Sequence, residues 1–146
     1  MKRIGRTLIR VGGILAIVYA ACFALAMVVF IVLATPVFKQ VLIDGLNNET
    51  IQSTFPGETE QQALAIQIMF GIMAAAFGLV ACFGLASAIV SFKTLKEDNK
   101  KGLYIANIVF GILSGVYFNT AGGVLGTIAI SRQERRDRLN KIVDNQ

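Results

Sequence analysis

Asn107 and Asn119 are the polar residues with the greatest chemical promise, because both fall inside an uncharged apolar run, with Gly111 and Gly115 between them at steps of four. A carboxamide offers donors and an acceptor but no titratable proton. In hydrocarbon it therefore either lines a polar pathway or intersubunit surface, or joins one helix to another. The joining role is expected: Asn107 bonds a neighbouring helix and Asn119 caps a limb at a turn, each contact being worth about 0.6–2 kcal/mol. Groups for other chemistry are scarce. Histidine is absent, which removes the commonest general base and metal ligand. Cys22 and Cys82 are the only candidate nucleophiles; each lies mid-run with no activating base on its helix, and each reads as a free thiol filling apolar space. Asp44, Glu49, Glu58 and Glu60 against Lys39 give one segment a net charge of minus three, but the carboxylates are scattered as on a solvated surface rather than clustered for a cation. No catalytic, cofactor-binding or metal-binding residue is expected, and no enzyme.

The elements that would hold these residues follow from the distribution of apolar side chains. The chain has 146 residues, 55% of them apolar and 16% charged, more apolar material than one soluble core of this length needs. It is concentrated in three uncharged runs, 11–34, 63–92 and 103–130, without the alternation of an outer-membrane barrel. An integral membrane protein built of helices is expected. The third run, 28 residues, would make a helix of about 42 Å against a hydrocarbon core of roughly 30 Å, long for one crossing and short for two. Phe118-Asn119-Thr120-Ala121-Gly122-Gly123 interrupts it with polar and glycine residues that favour a turn. The expectation is an all-α up-down bundle of four transmembrane helices in one membrane domain, 1–146. Its parts are helix 11–34, an outer loop 35–62 with a surface helix 36–46, helix 63–92, an inner loop 93–101, a short hairpin of helices 103–118 and 120–131, and a basic tail 132–146.

Local signals refine this plan. The run 11–34 outlasts a signal-peptide core and reads as a retained helix. Pro36 suits the first turn of the surface helix, on which Val37, Phe38, Val41, Leu42 and Leu46 share a face. Thr59 and Gln62 have the spacing of a capping box. Small residues recur every fourth position as Gly12, Ala16, Ala20, Ala24 and as Ala74, Gly78, Cys82, Ala86, while Gly111, Gly115, Gly122 and Gly126 line the hairpin. Such stripes let helix backbones approach closely. Thirteen of the 14 basic residues flank the runs at 2–10, 93–101 and 132–141, and only Lys39 falls in the acidic segment. The positive-inside rule then places both termini in the cytoplasm of a plasma-membrane protein. That basic face attracts anionic lipid headgroups, whereas nucleic acid is not an expected partner of charge split into three membrane-flanking groups.

Pro36-Val37-Phe38-Lys39-Gln40, the turn ending Lys100-Lys101-Gly102, and Gly111-Ile112-Leu113-Ser114-Gly115 followed by Asn119 and Gly122-Gly123-Val124-Leu125-Gly126 give the chain a resemblance to small uncharacterised four-helix membrane proteins of Gram-positive bacteria. The resemblance implies a four-helix membrane bundle and no established activity. A non-enzymatic role through lateral helix contact is the expectation, as an accessory, regulatory or immunity-type subunit of an envelope complex, with other membrane proteins or further copies of itself as partners. The alternative is a small self-associating transporter or channel with Asn107 and Asn119 along its pathway.

Overall fold

The computed structural model describes residues 2–97 and 100–144. Asp98 and Asn99 of the inner loop, and Asn145 and Gln146 of the tail, lie outside the described residues. Five helices follow one another: α1 (Lys2–Leu33), α2 (Pro36–Asn47), α3 (Thr59–Lys96), α4 (Lys101–Leu113) and α5 (Tyr117–Asp144). No strand occurs among the described residues. Helix α1 starts nine residues before the expected 11–34 and ends at Leu33, and α3 overruns 63–92 at both ends, since hydropathy marks where charge begins and not where backbone hydrogen bonding stops. Arg, Lys and Gln are good helix formers and continue a helix beyond its apolar part. At the ends of α3, Glu60 in the first turn and Lys93 and Lys96 in the last complement the helix dipole.

The hairpin is present, but its turn precedes the expected one. Helix α4 ends at Leu113, not 118, and Gly115 adopts φ +71°, donating its N–H to the Ile112 carbonyl at 3.2 Å. That left-handed conformation costs a residue with a Cβ about 1–2 kcal/mol, and glycine meets it freely. Gly122 and Gly123 stay helical inside α5. The helix expected over 120–131 starts at Tyr117 and continues to Asp144, absorbing the described part of the tail.

Among the described residues, two helices are long and apolar enough to cross a membrane, α1 over Arg3–Leu33 and α3. With 13 residues, α4 rises only about 20 Å, and the apolar part of α5, 117–131, rises about 22 Å, against a core of roughly 30 Å.

The chain divides into two compact units, Met1–Ala20 with Val80–Gln146, and Ala21–Leu79. In the second unit Leu42, Ala63 and Ile66 form a core packed by Phe38, Ile43, Leu46, Ile51, Phe55 and Phe70. The face expected on α2 is split: Phe38, Leu42 and Leu46 turn inward, while Val37 (86% exposed) and Val41 face out. Gln67 donates to the Thr35 carbonyl at 2.7 Å and ties the start of α2 to α3. The Gln62 amide donates to the Gly57 carbonyl at 2.8 Å instead of closing a box with Thr59, because Thr59 is already the first residue of the helix. Phe23 stacks on Phe77 at 5.6 Å, and Phe30 lies between Phe70 and Phe77.

The first unit joins the start of α1 and the end of α3 to α4 and α5. Ile9, Tyr104 and Ile130 make one core cluster with Leu95 against it, and Ala16, Ala88 and Val116 make another. The hairpin tip thus reaches the level of Ala16 and Ala88.

Candidate functional site

Ser87, Ser91, Thr94, Asn107 and Asn119, all buried in the first unit, form a connected seam. Asn107, fully buried on α4, donates from Nδ2 to Thr94 Oγ1 at 2.6 Å and to the Leu103 carbonyl at 3.0 Å. Its Oδ1 accepts from Ser91 Oγ at 2.8 Å. Ser91 shares its single proton with the Ser87 carbonyl at 2.7 Å, and Thr94 bonds the Val90 carbonyl at the same distance. Asn119, also fully buried, donates from Nδ2 to Ser87 Oγ at 2.7 Å. The expected capping role of Asn119 is therefore corrected: it is the third residue of α5 and bonds across to α3.

Asn119 Oδ1 has no N–H or O–H partner. It is aimed at Gly12, where an added Cβ would overlap the carboxamide, whose Cγ would lie 2.7 Å away. The Gly12 Cα–H is the donor available in that direction, a contact worth about half of an amide hydrogen bond in the absence of water. Thr120 Oγ1, likewise without a hydrogen-bond partner, faces Gly111 in the same way, with an added Cβ 2.6 Å from it. Close backbone approach and amide placement are one arrangement here.

The remaining expected packing residues separate into those the bundle uses and those it does not. Ala16, Ala20 and Ala74 are buried, and Ala24, Gly78 and Ala86 are half-buried. Cys82 is exposed, as is Cys22, and both thiols are free. In the second stripe Cys82 alone is exposed, a step of four residues overshooting a helical turn by about 40°. Ala74, Ala81 and Ala88, seven apart, stay on one face and are all buried. Gly115 is exposed in the turn and packs against nothing, so it is not part of a hairpin groove. Gly122 meets Ile9 of α1, whereas Gly126 lies under the Tyr104 ring of α4.

Ser87, Thr94, Gly13 and Tyr104 belong to the seam or its walls without having been singled out by sequence. Ser87, Ser91 and Thr94 do share a face by spacing. Their hydroxyls can bond the carbonyl one turn earlier, which makes them inconspicuous in an apolar helix.

Two ion pairs lie at the surface, away from the seam. Lys39 Nζ lies 2.7 Å from Glu60 Oε1, and the lysine's hydrogen bond, then its charge, hold the Glu60 carboxyl below its ordinary range. Lys100 does the same for Glu97 at 2.6 Å. Among the described residues no three Asp, Glu or Cys side chains converge on a metal-sized site.

Comparison of the chain with known protein families, curated proteins and solved structures gave no match.

Proposed function

We propose that the chain is a non-enzymatic integral membrane protein that acts by lateral helix contact, as an accessory, regulatory or immunity-type subunit of an envelope complex in the plasma membrane. The observation that carries this reading is the engagement of Asn107: both amide hydrogens and the carbonyl oxygen have partners within the bundle. A side chain that binds passing solutes must leave some of that capacity free. The exterior supports a membrane setting, since only 11% of the α1 window and 17% of the α3 window are buried, far below what a soluble protein's core helix would bury. Leu25, Ile72, Leu79 and Ile89 are each more than 60% exposed.

In this reading α1 and α3 cross the bilayer and α4 with α5 forms a re-entrant hairpin. Its tip, level with Ala16 and Ala88, stands about 9 Å beyond Arg10 on α1 and about 8 Å beyond Lys93 on α3. Entering and leaving on one side, the hairpin keeps both termini and 13 of the 14 basic residues cytoplasmic, as the full hairpin would. The resemblance to small Gram-positive membrane proteins agrees with such a role without specifying it.

Crosslinking in the native membrane followed by pull-down is the direct test; a reproducible membrane-protein partner, or a homo-oligomer, is expected. Solute or ion flux from liposomes holding the purified protein, abolished by Asn107→Leu in folded protein, would favour the transporter alternative instead.

A further inference from the structure

We infer that the cleft beside residues 51–55 is a docking site for an extended cationic peptide segment of a partner outside the cell, an inference that rests on the membrane reading above. Residues 51–55 with Ile66 and Met69 line this cleft of about 310 Å³. Ile51 and Phe55 pack on the core of Leu42, Ala63 and Ile66, which fixes the wall in place, while Met69 remains 42% exposed. Between Ile51 and Phe55 the chain runs without helix, turn or bend, and among the described residues the N–H and C=O groups of 52–54 bond no other backbone group. Such a stretch is a short unpaired edge. An extended peptide adds to it through main-chain hydrogen bonds and turns alternate side chains into the neighbouring apolar pocket.

The charge around the cleft sets the chemistry of the partner. The segment 35–62 has one cation, Lys39, and Glu60 holds it at 2.7 Å. Asp44, Glu49 and Glu58 have no basic partner among the described residues. Glu49 and Glu58 flank the cleft-lining stretch in the chain, and Asp44 adjoins Gly45, against which the Ile51 side chain lies. Carboxylates spread in this way suit a row of basic side chains on an extended partner and not a single ion. Thr35 is the first residue past the uncharged run of α1, and Gln67, between Ile66 and Met69, bonds its carbonyl, so the cleft opens at the outer surface. A second copy is the poorer occupant, because the basic segments 2–10, 93–101 and 132–141 stay on the cytoplasmic side. A lipid acyl chain would leave the carboxylates and the main-chain groups of 52–54 unanswered.

The test uses the full chain in phosphatidylcholine nanodiscs and a fluorescein-labelled hexapeptide in which lysine and leucine alternate, read by fluorescence anisotropy against empty discs. Saturable binding is expected where the chain is present. Glu49→Gln and Glu58→Gln should each weaken it about threefold, and raised salt should act in the same direction. Methylating the backbone nitrogens of the peptide, which leaves the protein untouched, should abolish binding. Equal binding to empty discs, undiminished binding to the double variant, or equal binding of a peptide with glutamate for lysine overturns the inference. So does binding confined to discs that hold one chain, which means that a second copy fills the cleft, or displacement by short-chain phosphatidylcholine as readily as by unlabelled peptide, which means that lipid does. An impermeant thiol reagent on intact cells with Lys39→Cys, made without Cys22 and Cys82, separates the two levels of failure. No labelling refutes the membrane reading and the docking with it, whereas labelling without peptide binding refutes the docking alone.

Discussion

Asn107 has a partner for every hydrogen-bonding direction it uses, so the cost of removing it is the cost of stranding those partners. Asn107→Leu leaves the hydroxyls of Ser91 and Thr94 without the amide, although each keeps the carbonyl one turn back. A loss of about 1–2 kcal/mol is expected, measured as a lowered unfolding midpoint in detergent. The glycines separate by what surrounds them. Gly126→Ala drives a methyl into the Tyr104 ring and should destabilise by about 1–3 kcal/mol. Gly71→Ala meets open space within α3 and should be neutral, or stabilising by up to about 1 kcal/mol through helix propensity. If the two substitutions behaved alike under the same denaturant titration, the assigned packing would be wrong.

At the scale of elements, the α4–α5 turn depends on one backbone conformation. Gly115→Ala is expected to cost about 1–2 kcal/mol although nothing crowds the site, while Gly102→Ala, equally uncrowded but helical, should not. The same denaturation assay distinguishes them. The α2 segment is held to the start of α3 partly by Lys39 and Glu60, both at the surface. Because the Glu60 pKa is lowered in the folded protein, whatever the pair contributes is present above the ordinary glutamate value of 4.5 and is lost as pH falls through the folded value. NMR titration of the carboxyl should show its pKa rising toward that ordinary value in Lys39→Met. An unchanged titration would mean that the pair does not persist in solution.

For the whole molecule, the proposed topology has two crossings and a hairpin that turns back before the far side. In intact cells an impermeant thiol reagent should label Lys39→Cys and not Asn140→Cys, each made without Cys22 and Cys82. Labelling of Asn140→Cys from outside would require α4 and α5 to cross as one rod. Depth quenching at Phe118→Cys should report a position well inside the cytoplasmic half of the bilayer, where full crossings would place it at the opposite surface.

The apolar runs and the charges between them were enough to specify helices, the existence of a hairpin and the use of Asn107 as a bridge, because these depend on composition and on the cost of burying an unpaired amide. The ends of the helices were not legible, since charged helix formers extend α1, α3 and α5 past the point where hydropathy falls. Nor was the turn. Phe118 to Gly123 carries more turn-forming residues than Ser114-Gly115, but Gly122, Gly123 and Gly126 serve as contact points for α1 and α4, and a glycine used for close approach looks the same in sequence as one used for left-handed backbone. Which small residues face a neighbour likewise depends on the 100° advance per residue acting over several turns: Cys82 of the four-residue stripe turns outward while Ala81, Ala88 and Ser91 stay in. Only the packed helices decide those assignments, because each requires a partner atom supplied by a distant part of the chain.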